Sequence, residues 1–178
     1  PERPFLMIDG AGDPNTSVEY ADAVAALYPI AYGLRAAIKA ATGDAYTVMP
    51  LEGLWWADDM ATFSVDAKGD WRWTMMICLP PPVTADLFAE LAPAVISKKK
   101  LVSGAKVRHE VFAEGAAAQI MHHGPYATEA PTIERLHEFI EAQGWDRSGK
   151  HHEIYLTDPR RVAPEKNRTI IRQPVFEA

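Results

Sequence analysis

Cysteine is nearly absent: Cys78 is the only one in 178 residues. That excludes an internal disulfide framework and a cysteine-rich zinc site, and it points to a reducing, cytoplasmic setting. No apolar run approaches the roughly 20 residues of a membrane span. No secretory signal opens the chain, so no membrane partner is expected. The first residue is Pro1 rather than Met, which leaves room for residues upstream. An excess of cations is also missing. The formal net charge is −6, a poor match for a phosphate backbone, so no nucleic-acid partner is expected. There is no Gly-x-Ser-x-Gly elbow, no Walker loop and no Gly-x-Gly-x-x-Gly, which disfavours a serine-hydrolase triad and a nucleotide cofactor. No cofactor of any kind is expected. What is present is an ordinary globular balance, 48% apolar and 24% charged, long enough to bury a core without staples.

Along the chain, Phe5-Leu6-Met7-Ile8 is a short apolar run followed by turn chemistry at Asp9–Asn15. Thr16 and Glu19 form a capping box, and a helix over 16–42 follows with Tyr20, Val24, Leu27, Tyr28, Ala31, Leu34 and Ile38 as its stripe. Pro29 sits inside it and removes one backbone donor, so a kink is expected there, and Gly43 stops it. Tyr46–Trp56 and Trp71–Leu79 read as paired strands. Thr84 caps a middle helix, about 84–100, carrying Leu87, Phe88, Leu91 and Val95. It ends in Lys98-Lys99-Lys100, a solvated helix end. Strands over 106–113 and 116–123 precede a helix over about 128–143 with Ile133, Leu136, Phe139 and Ile140 on one face. Strands over 152–156 and 168–175 close the chain.

The two halves echo each other. Glu52 lies nine positions after Gly43, as Glu153 does after Gly144. Thr74–Pro80 aligns with Arg168–Pro174, and Gly12-Asp13-Pro14 before the first long helix echoes Gly124-Pro125 before the last. The expectation is a single α+β domain over 1–178. Its internal repeats, about 4–83 and 106–176, each run strand, helix, strand, strand.

Chemistry concentrates at His152-Glu153-Ile154-Tyr155-Leu156. Side chains alternate along a strand, so Glu153 and Tyr155 share one face, with Ile154 and Leu156 on the other. If Glu153 faces inward, desolvation suits it to acid or base work. If Ile154 and Leu156 face the core, Glu153 is a wet strand residue, and the pattern alone leans slightly that way. Aromatics form a second signal. Trp55, Trp56, Trp71 and Trp73 lie within nineteen residues, and with Tyr28, Tyr32, Tyr126 and Tyr155 they exceed what a small core requires. They suit a pocket for a flat or cationic ligand, with ordinary core packing the better reading for some. The pairs His122-His123 and His151-His152 point to opposite faces and match no metal motif, so no metal is expected.

The segments Gln119-Ile120-Met121-His122-His123-Gly124-Pro125-Tyr126, His151–Arg161 and Leu51-Glu52-Gly53-Leu54-Trp55-Trp56, with Phe5–Gly10 and Thr169–Val175, resemble the GyrI-like small-molecule-binding family over nearly the whole chain. The resemblance implies a tandem β-α-β-β (SHS2-type) repeat with pseudo-twofold symmetry, an antiparallel sheet and a ligand cleft between the halves. Within that family the chain looks most like the branch that hydrolyses cyclopropanoid DNA-alkylating compounds. That likeness implies Glu153 as the carboxylate that helps water open the strained ring. It implies Trp55, Trp73, Tyr126 and Tyr155 as walls for the flat ligand, with Tyr28 among the aromatics. Tyr155 or His122 would donate to the carbonyl oxygen where charge develops. The competing reading is a non-catalytic module that senses or sequesters drugs, with the carboxylate as counter-ion. A gyrase partner, bound through an acidic surface, is less favoured.

Overall fold

A computed structural model describes residues 1–58 and 68–177. It is α+β, as expected, with three helices and eight antiparallel strands among the described residues. The strands are β1 (Arg3–Ala11), β2 (Leu51–Trp56), β3 (Arg72–Cys78), β4 (Arg108–Phe112), β5 (Ala117–His123), β6 (Trp145–Arg147), β7 (His151–Tyr155) and β8 (Arg168–Glu177). The helices are α1 (Val18–Thr42), α2 (Ala85–Lys99) and α3 (Ala130–Ala142). No described helix is long and apolar enough to cross a membrane.

The chain divides into two compact units. One holds residues 2–49 and 56–112. Here β1 pairs on one side with β3, Phe5 opposite Cys78, and on the other with β4, Arg3 opposite Phe112. Phe5, Leu6, Met7 and Ile8 are all buried, so both faces of β1 are covered, as its continuous apolar run requires. Helix α1 packs on this sheet through Ala23, Ala26, Leu27, Ile30, Ala31 and Leu34. The buried face is rotated from the expected stripe: Tyr20, Val24, Tyr28 and Ile38 sit at its margins, because alanines let the helix approach more closely than bulky residues do.

The caps correct the expected boundary of α1. Ser17, not Thr16, is the N-cap, its hydroxyl accepting from the Tyr20 N–H. The turn Asp13–Thr16 already commits the Thr16 and Ser17 N–H groups to Asp13 O. Glu19 does not reach back to the cap; its carboxylate pairs with Lys106 at 2.9 Å. At the other end Gly43 closes the helix in the left-handed region, φ 82°, its N–H on Lys39 O. Thr84 caps α2 as expected, accepting from Leu87 N–H. The expected strand from Tyr46 begins only at Leu51. Pro50 has no N–H for a ladder, and Arg35 on α1 takes the Tyr46 carbonyl at 2.7 Å.

The other unit holds Pro1, residues 50–55 and the chain from 113 onward. Its strand order is β2-β7-β8-β5, all antiparallel, with short β6 on the far end of β8. Helix α3 buries Leu136 and Ile140 against Ala118 and Ile171. Phe139, expected on that face, is half exposed and meets Trp145 edge-on. Cross-strand partners share a face, so the register brings Gly53, Glu153, Ile171 and Ile120 into one row. Tyr155, Thr169 and His122 form the next row on the same face.

Candidate functional site

On β7, alternation sends His151, Glu153 and Tyr155 to one face and His152 to the other. The first three form a hydrogen-bonded chain that begins on β2. The Trp55 indole Nε1–H donates to the Tyr155 hydroxyl at 3.0 Å, and that hydroxyl donates to Glu153 Oε2 at 2.7 Å. His151 Nε2 lies 3.1 Å from Glu153 Oε1. Trp55 and His151 are buried, while the Glu153 side chain keeps 14% of its surface open. The carboxylate therefore sits inward of a wet strand residue, with each oxygen addressed by one protein group and lone pairs left over. Tyr126 stands edge-on to Tyr155, ring centroids 5.5 Å apart, and is 41% exposed.

Gly53 makes this contact fit. A Cβ there would stand 2.7 Å from Trp55 Nε1 and 3.1 Å from the Tyr155 hydroxyl. Trp55 and Tyr155 are not register partners; they pair with His151 and Leu51 respectively. The indole reaches diagonally across the space that a side chain at 53 would fill.

The opposite face of the same strands carries a buried charge cluster that the sequence did not suggest. His152 Nε2 is 3.0 Å from Glu52 Oε2, and its Nδ1 is 2.7 Å from Glu114 Oε1. Arg172 on β8 donates to the second Glu114 oxygen at 2.9 Å, and two further guanidinium N–H groups go to Gln119. Burial opposes the charge on His152, but hydrogen bonds and charges of Glu114 and Glu52 outweigh it and raise the imidazole above its ordinary value. Burial likewise works against ionised Glu114, but His152 and Arg172 hold it below the usual carboxylate range. In the sequence His152 stood out only as one of two adjacent histidines, and nothing tied it to Glu52 or Glu114.

Of the residues named from sequence, Glu153, Tyr155, Trp55 and Tyr126 come together. His122 shares their unit and face but is 4% exposed, and both of its nitrogens are engaged. Nδ1 is 3.0 Å from Thr132 Oγ1 and Nε2 is 3.3 Å from Pro125 O. Its donor capacity is directed at protein, as for a structural histidine. Between it and Tyr155, buried Thr169 has a hydroxyl with no partner among the described residues. Trp73 and Tyr28 belong to the other unit. Trp73 is wholly buried, its ring edge-on to Tyr20 at 5.3 Å and filling the space a side chain at Gly10 would need. In this conformation it is core, not a ligand wall. Tyr28 stacks on Tyr32 beside Pro29, Gly33 and Val95. Among the described residues no three His, Cys, Asp or Glu side chains are placed to hold a metal.

The family model of the GyrI-like small molecule binding domain matches residues 1–175. Among solved structures, an uncharacterized conserved protein from Listeria innocua is 38% identical, with a TM-score of 0.91 over 99% of this chain and 89% of that one. A hydrolase from Listeria innocua is 36% identical, with a TM-score of 0.83 over 99% and 88% of the two chains. The C-terminal domain of EcmrR, at 12% identity, shares the fold with a TM-score of 0.61 over 100% and 94% of the two chains. No curated protein matches the chain. The match spans both units, including every residue of the Trp55–Tyr155–Glu153 chain and of the His152 cluster, and on that ground this protein belongs to the GyrI-like small-molecule-binding domain family.

Proposed function

We propose that the protein is a hydrolase of flat apolar molecules, and that it opens the strained cyclopropane of cyclopropanoid DNA-alkylating agents with water. The observation that carries the reading is the Glu153 carboxylate: 14% exposed, fixed on both sides by Tyr155 and His151, and part of a cluster in which Tyr155 meets the exposed ring of Tyr126. That is how a general base is prepared, because a fixed carboxylate with a free lone pair aligns a water without reorganising. Support also comes from the 36% identical Listeria protein, which is a hydrolase.

In the proposed step, Glu153 accepts a proton from a water whose oxygen forms a bond to the ring carbon. The C–C bond of the cyclopropane breaks, and its electron pair passes into the dienone, which becomes a phenolate. That oxygen then takes a proton, so one water is added in all. Once Glu153 is protonated, the Tyr155 hydroxyl, which donates to the carboxylate in the resting site and accepts from Trp55, is freed to relay a proton to that oxygen. The exposed ring of Tyr126, standing edge-on to Tyr155, offers a flat face for the ligand. The test is incubation with a spirocyclopropyl cyclohexadienone. A ring-opened product heavier by one water, formed over many turnovers, is the expected result. Tight binding with unchanged ligand after long incubation would instead make the protein a sequestering module.

A further inference from the structure

We propose that His152 is a positioning residue, a doubly protonated imidazolium that ties β2 and the segment before β5 to β7 and thereby keeps Trp55 in register with Tyr155 and Glu153 on the opposite face. The proposal rests on the reading of Glu153 as the working carboxylate only where turnover is measured; the geometry stands apart from it.

The protonation state follows from the contacts. Both ring nitrogens face carboxylate oxygens, Glu52 at 3.0 Å and Glu114 at 2.7 Å. A neutral imidazole has one N–H and would turn a lone pair toward one carboxylate; only the cation donates to both. His152 is 1% exposed, so water cannot replace a lost bond. The charged groups that flank it are Glu52 from β2, Glu114 from the segment between β4 and β5, and Arg172 from β8, which Gln119 on β5 holds in place. Two carboxylates and two cations balance. Without the proton on His152, the imidazole donates to one carboxylate only and turns a lone pair toward the other, while Arg172 reaches Glu114 alone.

The consequence for the site is mechanical. Glu52 and Gly53 are neighbours on β2, as His152 and Glu153 are on β7, and Gly53 lies directly opposite Glu153. The Glu52–His152 bond and the Trp55–Tyr155 bond therefore brace the same two strands from opposite faces. If the first is released, the second, a long diagonal reach, loses the spacing it depends on. As pH rises through the raised value of His152, one of its two carboxylate bonds is lost and the brace weakens; below that value, while Glu114 stays ionised, both bonds are made.

The experiment follows indole and imidazole resonances of the full chain by NMR across pH, with Trp55 assigned through Trp55→Phe. The Trp55 Nε1–H signal is expected to shift with the same midpoint as the His152 ring, above about 6.5, while the Trp73 and Trp145 indoles stay in place. Glu114→Gln keeps the shape and the Arg172 contact but removes one counter-charge, so both midpoints are expected to fall together by roughly one pH unit or more. A Trp55 signal that stays constant while His152 titrates overturns the proposal. So does a transition that moves all the indoles at once, or a Glu114→Gln variant with unmoved midpoints. None of these readouts requires turnover, so failure of the hydrolase reading alone would leave them unchanged.

Discussion

Gly53 is the residue whose replacement separates positioning from folding. The alanine methyl would meet the Trp55 indole nitrogen at 2.7 Å and the Tyr155 hydroxyl at 3.1 Å, side-chain atoms rather than backbone. Gly53→Ala is therefore expected to fold but to displace the pair, lowering kcat on the order of a hundredfold as a misplaced catalytic group does. Circular dichroism would check the fold and steady-state kinetics the rate. Trp73→Ala should do the reverse. It leaves a large void in the core of the other unit and is expected to cost roughly 3–5 kcal/mol in urea unfolding, with the chemistry of Glu153 untouched in molecules that stay folded. Alternation along β7 made the shared face of Glu153 and Tyr155 legible in the sequence. The contact with Trp55 was not, because it spans 100 residues and depends on register. The same separation hid Glu52 from His152.

At the scale of elements, helix interiors were readable and their ends less so. The three- and four-residue spacing of Leu27, Ala31 and Leu34 marked α1, and Thr84 marked the start of α2. The capping box at Thr16 failed because two hydroxyl residues are adjacent and the preceding turn, not local propensity, decides which one caps. Ser17→Ala is expected to destabilise by about 1 kcal/mol and Thr16→Ala by a few tenths at most, a difference readable in denaturant midpoints. The early start assigned to β2 failed for a tertiary reason: Arg35, eleven residues away on α1, takes the Tyr46 carbonyl. The echo between the halves led to an expected order of strand, helix, strand, strand; the elements run β1-α1-β2-β3 and, further on, β5-α3-β6-β7-β8.

For the whole molecule, the His152 cluster gives stability a dependence on pH at both ends. Glu114 titrates lower in the folded chain than in the unfolded one, so its contribution is lost as pH falls through its depressed value. His152 titrates higher when folded, so its contribution is full below about 6.5 and lost as pH rises through its raised value. Thermal midpoints are expected to peak between these limits, and Glu114→Gln to flatten the acid limb. The central claim concerns Glu153, and turnover of a spirocyclopropyl dienone in heavy-oxygen water addresses it most directly. Wild-type protein is expected to release ring-opened phenol carrying one heavy oxygen on the former ring carbon. Glu153→Gln should bind the ligand within a few-fold of wild type and turn it over roughly 10²–10⁴-fold more slowly. Full turnover by Glu153→Gln, or ligand recovered intact or attached to the protein rather than hydrated, would contradict the account.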